Sequence, residues 1–371
     1  MSNKPFRVLS LDGGGMRGIY SAIYLKKLAD SCAKNKGFKT LDIGKAFDLI
    51  VGTSTGGILA CALAFGAPLS KVIELYRNEG PRIFQSQLPS GINVELGRQL
   101  LMRPIELRSG AQALKRALSH VFLGETMESL YERRKIALAI PSVNMHTHSA
   151  WVFKTPHLLG NNGRDNKYTL VDVCLATSAA PIFRSLEAIE EPGGYGTYHV
   201  FTDGGLWANN PVLVALLEAL RMTEHGRSIE IFSLGTCPKP VGENLSKEEV
   251  NRGLLEWKFG GKISELSIDA QEFAYDHMAR MFAGAINRPC NILRFPTANI
   301  PPDDIKFLNL DETSKEGLEA LTRLALRDAD IANSKIQDPK SEEGAMIKRL
   351  FDDMPKSEKP KPYGLAVECN S

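Results

Sequence analysis

The residues Gly52-Thr53-Ser54-Thr55-Gly56 form a G-x-S-x-G pattern that can carry a reactive serine. The apolar run FDLIV before them predicts a buried strand, and GILACALAF after them predicts a buried helix. Small flanking residues allow a tight strand-to-helix turn, which projects the serine hydroxyl from the edge of a sheet. The pattern indicates a nucleophile elbow, with Ser54 as nucleophile between Gly52 and Gly56. A Gly/Ser/Thr turn without chemistry is the simpler alternative.

A second cluster, DGGGMRG at residues 12–18, also lies between a predicted strand and a predicted helix. Consecutive glycines leave backbone N–H groups unobstructed, and such amides can bind an oxyanion. Gly13, Gly15 and Gly18 also satisfy the dinucleotide fingerprint G-x-G-x-x-G. That function expects an acidic residue at the end of the second strand, which here ends in the serine turn instead. A P-loop is excluded because no Gly-Lys-Ser/Thr follows.

A third pattern, Phe201-Thr202-Asp203-Gly204-Gly205, follows a predicted strand and precedes a predicted helix after Pro211. Asp-Gly is also a common hairpin turn, which remains an alternative. The carboxyl ends of strands in an α/β sheet meet at one edge, so Asp203 can lie beside Ser54 there.

A serine nucleophile needs a base, and the usual partner is a histidine. Seven histidines are present, none in a revealing context. His146 and His148 lie in an NMHTHS segment that can bind metal, although a solvated strand end explains them more simply. His199 lies in the strand before Asp203. A Ser/Asp pair needs fewer assumptions, because a carboxylate in a site of low polarity gains basicity.

Strands and helices alternate along the chain, which predicts a mainly parallel sheet covered by helices on both faces. Residues 81–135 interrupt this alternation with nine Lys/Arg and five Glu. We expect a helical insertion there that could form a lid over the sheet edge. From about Gln337 the sequence is rich in Lys, Glu, Pro and Ser, and we expect residues 336–371 to form a polar C-terminal tail.

The composition excludes several functions. A formal net charge of +2 over 371 residues does not suit a protein that binds a nucleic-acid polymer. The six cysteines contain no C-x-x-C pair, which favours reduced thiols in a cytosol over a zinc site or disulfides. The N-terminal residues resemble no secretory signal, and the longest apolar run is too short to span a bilayer. We therefore expect a cytoplasmic protein whose contact with membranes is peripheral.

Together, DGGGMRG at 12–18, GTSTG at 52–56 and DGG at 203–205 resemble the patatin-like phospholipase family, in the family's order. The segments CLATSAAPIF at 174–183, IFSLGTC at 231–237 and LDETSKEGLEAL at 310–321 are also similar to family segments. The resemblance runs from about residue 7 to 330, and it makes residues 1–335 one patatin-like domain.

The resemblance implies a three-layer α/β/α sandwich and hydrolysis of fatty-acyl esters of membrane lipids. It implies that Ser54 is the nucleophile and Asp203 the general base of a dyad without histidine. Gly13, Gly14 and Gly15 would supply the oxyanion hole, together with Arg17, whose role is less defined. It implies no cofactor and no metal.

Some bacterial enzymes of this type are anti-phage effectors that a cyclic dinucleotide activates to degrade membrane phospholipid. The chain is compatible with that group, and such an enzyme would act at the inner face of the membrane. The basic insertion suits anionic lipid or nucleotide phosphates, but an ordinary solvated insertion has the same composition. Three alternatives stay open: a Ser-His-Asp esterase or peptidase on soluble substrates, a catalytically silent nucleotide-binding module, and a lipid acyltransferase. The oligomeric state is not predicted.

Overall fold

The computed structural model describes residues 4–357, except 86–93, 159, 161, 195, 225, 238–241, 243–244, 254–256, 258–260 and 297. For residues 94–101, 261, 262 and 264 it describes the backbone alone.

Eight strands within the described residues form one sheet in the order β5-β6-β3-β2-β1-β7-β8, and β4 pairs with β3. Their bounds are β1 Phe6–Leu11, β2 Leu49–Gly52, β3 Ala137–Asn144, β4 Ser149–Lys154, β5 Glu187–Glu190, β6 Tyr198–Asp203, β7 Ile229–Leu234 and β8 Cys290–Phe295. The pairs β1/β2, β1/β7, β2/β3 and β7/β8 are parallel, whereas β3/β4, β3/β6 and β5/β6 are antiparallel.

The described helices connect these strands and cover the sheet. Their bounds are α1 Gly18–Asn35, α2 Thr55–Phe65, α3 Leu69–Ile83, α4 Val94–Phe122, α5 Met127–Arg134, α6 Leu170–Thr177, α7 Gly205–Ala208, α8 Val212–Met222, α9 Gly261–Ala285, α10 Lys315–Gln337 and α11 Glu342–Asp352. Within the described part of the chain, no helix is both long enough and apolar enough to cross a membrane.

Apolar side chains on both faces of the central strands make the sheet the middle layer of three. In β1, Val8 packs in a core with helix α8, whereas Leu9 and Leu11 pack in a larger core with α1, α2 and α10. Successive side chains of a strand point to opposite faces, so a strand buried on both faces reads as a continuous apolar run. The three-layer α/β/α architecture expected from the sequence is confirmed.

The sequence pattern missed β5 and β8, which lie at the two ends of the sheet order. Three of the four residues in β5 are at least partly exposed, as are five of the six in β8. Edge strands lack the continuous apolar run of a central strand, so their periodicity is weak.

Residues 94–122 form α4 and residues 127–134 form α5, in agreement with the helical segment expected there. Leu114 and Leu118 are buried in the main core. That residues 81–135 are an insertion, and that they act as a lid, remain predictions.

The C-terminal part of the chain differs from the expected polar tail. Residues 342–352 form α11, and Ile347, Leu350 and Phe351 on this helix are buried in the main core. The Arg7 guanidinium also donates to Asp353 at 2.8 Å. A tail that begins at residue 336 is therefore wrong for residues 342–353, because apolar residues at helical spacing were concealed by the abundant charges around them. Residues 358–371 lie outside the described part of the chain.

Replacing Phe351 by Ala tests whether α11 belongs to the folded core. Phe351 is 2% exposed, and truncating a buried Phe to Ala costs about 3–5 kcal/mol of unfolding free energy. Urea denaturation of the full chain measures this cost. Lys348→Ala on the same helix, where the side chain is exposed, should change stability by less than ~0.5 kcal/mol. Equal effects of the two substitutions would contradict a core role for α11.

Candidate active site

Ser54 lies in a tight turn between β2 and α2, at the edge where the parallel strands end. Its backbone has φ 56° and ψ −124°, a left-handed conformation that is strained for a residue with a side chain. Gly56 permits this turn, because a Cβ at that position would lie 2.4 Å from the Leu11 carbonyl oxygen. The Ser54 amide donates to Thr177 Oγ1 at 2.9 Å. The turn therefore has the geometry of a nucleophile elbow.

Asp203 ends β6 and reaches the Ser54 hydroxyl. Ser54 Oγ donates to Asp203 Oδ2 at 2.6 Å, and the Gly205 amide donates to Asp203 Oδ1 at 2.6 Å. Both side chains are buried, with relative exposures of 7% for Ser54 and 5% for Asp203. The hairpin alternative for Asp-Gly is wrong, because α7 begins at Gly205. The two residues that the sequence singled out are thus direct hydrogen-bond partners.

Burial raises the pKa of Asp203 to about 6, since loss of water disfavours the charged carboxylate. The hydrogen bonds from Ser54 and Gly205 and the positive charge of Arg184 oppose this rise. A carboxylate with this pKa is mostly ionised at neutral pH, and it is a stronger base than an exposed aspartate.

Residues 12–18, which we call the glycine loop, lie beside this pair, and the backbone amides of its three consecutive glycines differ in their hydrogen-bond partners. The Gly13 amide donates to the Asn209 carbonyl at 2.9 Å, and Thr236 Oγ1 donates to the Gly13 carbonyl at 2.8 Å. A Cβ on Gly13 would lie 3.3 Å from Ser54 Cβ, so the loop is adjacent to the nucleophile. Within the described residues, the amides of Gly14 and Gly15 have no hydrogen-bond partner. These two amides, rather than all three, are available to an oxyanion.

Arg17 braces the same loop through its side chain. Its Nε donates to the Gly14 carbonyl and its Nη1 to the Cys237 carbonyl, both at 3.4 Å. These contacts connect the glycine loop to the segment after β7. A direct role for Arg17 in the oxyanion hole remains a prediction.

Two partly buried contacts that the sequence analysis missed fix the position of the glycine loop. Arg294 on β8 forms a two-pronged ion pair with Asp12, in which Nη1 to Oδ1 is 2.9 Å. Asn209, which accepts from Gly13, is bonded in turn to Glu272 on α9. No sequence signal indicated these partners, because they are distant in the chain and lie in elements without a motif.

Arg184 is a third residue that the sequence analysis missed. Its side chain is buried, and its Nη1 donates to the carbonyl and hydroxyl oxygens of Ser178 at 3.0 and 2.6 Å. Burial lowers the pKa of Arg184 to about 10, so the guanidinium remains charged at neutral pH. Its Nε and Nη2 have no partner among the described residues. The charge acts on Asp203 and limits the rise of its pKa.

Among the described residues, no histidine side chain is hydrogen-bonded to Ser54 or Asp203. His199 contacts Asn144, and His157 contacts Thr155 and Glu218. Both oxygens of Asp203 are bonded to Ser54 and Gly205, so no described histidine completes a triad. Three or more potential metal ligands do not cluster anywhere in the described part of the chain, the NMHTHS segment included.

A buried serine bonded to a carboxylate, at the strand ends of an α/β/α sheet and beside unengaged amides, is the arrangement of a serine hydrolase. The family model for patatin-like phospholipase matches residues 9–216. The chain therefore belongs to the patatin-like phospholipase family and is a hydrolase of that family.

Several curated proteins are similar over most of the chain. A cGAMP-activated phospholipase of Pseudomonas aeruginosa is 33% identical over 75% of this chain and 76% of its own length. A cGAMP-activated phospholipase of Vibrio cholerae is 32% identical over 89% of this chain and 91% of its own length. Patatin-like protein 2 of Arabidopsis thaliana is 27% identical over 86% and 84%, respectively.

The raised pKa of Asp203 predicts how the reactivity of Ser54 depends on pH. If the carboxylate must be ionised to accept the serine proton, the labelling rate with a neutral fluorophosphonate should fall as the pH is lowered and reach half its maximum near pH 6. Below pH 6 the rate should fall about tenfold for each pH unit, because only the ionised fraction of Asp203 reacts. Mass spectrometry of the Ser54 adduct measures the rate, and circular dichroism at each pH verifies the fold. A midpoint near pH 4 would show that burial does not raise this pKa.

Proposed function

We propose that the protein hydrolyses fatty-acyl esters of membrane phospholipids through a Ser54–Asp203 dyad. The observation that carries this proposal is the 2.6 Å hydrogen bond between the two side chains in a nucleophile elbow. The family and the names of its relatives support phospholipid as the substrate class.

The reaction proceeds in two steps. Asp203 accepts the Ser54 proton as the hydroxyl oxygen attacks the ester carbonyl, and the amides of Gly14 and Gly15 donate to the developing oxyanion. One such donor is typically worth about 3 kcal/mol of transition-state stabilisation. Collapse of the tetrahedral intermediate forms the acyl-enzyme, and Asp203 gives the proton from Ser54 to the leaving oxygen of the lysophospholipid. The ionised Asp203 then accepts a proton from water as that water attacks the acyl-enzyme, and it returns this proton to Ser54 Oγ as the fatty acid leaves.

We further propose that a cyclic dinucleotide activates this hydrolysis. Three curated relatives at 30–33% identity are named cGAMP-activated phospholipase. The dyad is hydrogen-bonded, and this is compatible with activation by a nucleotide. The nucleotide can act on the glycine loop or on the access of lipid to the site.

One lipid experiment tests both proposals. The wild-type chain should release free fatty acid from phosphatidylethanolamine/phosphatidylglycerol vesicles when cGAMP is present, and little when it is absent. Ser54→Ala and Asp203→Asn should each lower release at least ~10³-fold, because each removes one half of the dyad. Mass spectrometry quantifies the products, and an acyl-transfer product would identify a transferase instead. Asp203→Asn at wild-type rate would contradict the dyad, whereas equal release without cGAMP would contradict the activation alone.

We also propose that the enzyme contacts the membrane through an apolar rim beside the dyad. The rim consists of exposed side chains on α4, on the segment after α6, on α7 and on α9: Met102, Ile105, Ile182, Leu186, Leu206 and Phe273. Asp203 donates its amide to Ala179, three residues before Ile182, and Leu206 lies three residues after Asp203. The rim thus flanks the dyad on two sides.

Hydrogen bonds connect the segments of the rim in two pairs. Arg103 Nε on α4 donates to the Ile182 carbonyl at 3.1 Å, and Gln271 Nε2 on α9 donates to the Leu206 carbonyl at 3.4 Å. Exposed apolar side chains concentrated at one place on a soluble surface mark an interaction site. Beside a phospholipase site, the partner that suits them is the lipid interface.

Charge substitution in the rim should weaken vesicle binding. Phe273 is 77% exposed, and Phe273→Asp with Ile182→Asp should reduce co-sedimentation with lipid vesicles at least ~10-fold, because burying a charge in the interface is unfavourable. Ile331→Asp, at an exposed apolar position on α10, is the matched control and should bind normally. Labelling of Ser54 by a soluble fluorophosphonate verifies that the variants keep an intact site. Equal binding by all variants would contradict this surface.

A further inference from the structure

An open groove lies between α3 and α10, on a part of the surface without a role in the chemistry above. Its cavity volume is about 760 Å³, within the roughly 300–1,000 Å³ that is typical of small-molecule sites. Apolar side chains of Pro81, Leu318 and Leu326 form its walls. The groove is thus large enough for a dinucleotide and is lined mainly by apolar surface.

Positive charge predominates at this groove. Arg77 on α3 and Lys315 and Arg323 on α10 line it, against the single carboxylate of Glu319. Arg323 pairs with Asp304 at 2.6 Å, and Lys315 lies 3.9 Å from Glu319. The exposed Arg77 has no partner among the described residues. The groove therefore suits an anionic ligand that also has flat apolar surfaces.

The α10 wall of the groove is connected to the glycine loop. Ser314 caps α10, and the loop just before it passes directly against Gly15 and Met16. The Met16 amide donates to the Leu310 carbonyl at 2.8 Å. Gly15 has φ +54°, and a Cβ there would lie 2.3 Å from the Leu310 oxygen, so the two backbones are in close contact.

The α3 wall is connected to the same site from the other side. Tyr76, next to Arg77, donates its hydroxyl hydrogen to the carbonyl of Thr55 at 3.5 Å. Thr55 directly follows the nucleophile Ser54. Gly80, next to Pro81, lies directly against the Met16 side chain. A Cβ on this glycine would be 2.6 Å from Met16 Cε. Both walls therefore contact residues adjacent to the nucleophile or the oxyanion amides.

We propose that this groove is the site where a cyclic dinucleotide binds, and that occupancy adjusts the glycine loop through Leu310 and Met16. This inference rests on the nucleotide activation proposed above. The ligand has two anionic phosphodiesters and two planar bases. Arginine pairs with phosphates and also stacks on flat rings, so Arg77 and Arg323 can serve either part of the ligand.

The coupling has a thermodynamic consequence that a passive binding site lacks. If the nucleotide favours the arrangement of the glycine loop that an oxyanion-site adduct also favours, the adduct must raise nucleotide affinity, because coupling between two sites acts equally in both directions. The affinity of the groove should therefore differ between the unmodified enzyme and the Ser54-phosphonate adduct.

Calorimetric titration of the full chain with cGAMP tests the site. Arg77→Glu and Arg323→Glu should each weaken binding at least ~10-fold, because each replaces a phosphate partner by a repelling charge. Arg77→Lys, which keeps the charge but not the planar guanidinium, should weaken binding less than Arg77→Glu. Leu326→Trp, which fills the groove without changing charge, should also weaken binding at least ~10-fold. The matched control is Arg82→Glu, an exposed position on the same helix that does not line the groove, with an expected change below ~2-fold.

The outcomes separate the two proposals. Wild-type binding that survives in both charge-reversal variants and in Leu326→Trp would overturn the groove but leave activation standing. An equal loss in Arg82→Glu would also overturn the groove, because it would indicate general electrostatics. Absence of binding to the wild type would overturn activation and groove together. Equal affinity of the unmodified enzyme and the phosphonate adduct would overturn the coupling. The thermal unfolding midpoint without ligand identifies any variant that fails to fold, and the remaining variants then decide.

Discussion

The buried hydrogen bond between Ser54 and Asp203 is the interaction that the rest of the site is built to hold. Ser54 follows β2 and Asp203 ends β6, and these two strands are not neighbours in the sheet, since β3 lies between them. The bond forms only because the turn after β2 keeps Ser54 in a left-handed conformation and the end of β6 aims Asp203 at it. The Thr177 hydroxyl connects this turn to β3, because it accepts a hydrogen bond from the Ser54 amide and donates one to the Pro141 carbonyl.

The glycine loop is fixed by different means, because it has few side chains of its own with which to pack. Its position depends on partners that arrive from later in the sequence: Arg294 for Asp12, Thr236 and Asn209 for Gly13, and Leu310 for Met16. These partners lie on β8, on the segments after β7 and α7, and before α10. The position of the oxyanion amides is therefore determined by elements that are distant in the sequence.

The sequence predicted the parts of this structure that depend on local pattern. The elbow around Ser54, the central strands and the three-layer class follow from apolar periodicity and glycine spacing. The sequence predicted less well those elements whose position and burial depend on contacts between residues distant in the chain. Edge strands β5 and β8 lack a continuous apolar run, and α11 contains as many charged as apolar residues although its inner face is buried.

The same distinction holds within the site. Ser54 and Asp203 belong to recognisable motifs, whereas Thr177, Asn209 and Arg184 act through contacts that no spacing reveals. Arg184 adds a buried positive charge that, after the hydrogen bonds from Ser54 and Gly205, opposes the effect of burial on the pKa of Asp203. A histidine base has a pKa near neutrality in water, but an aspartate base reaches about 6 only through loss of water. In a dyad without histidine, the basicity of the carboxylate is thus a property of the closed site. The hydrogen bonds from Ser54 and Gly205, followed by the charge of Arg184, oppose this rise, so the carboxylate stays mostly ionised at neutral pH. The basicity of Asp203 is therefore set by a balance between burial and these three partners.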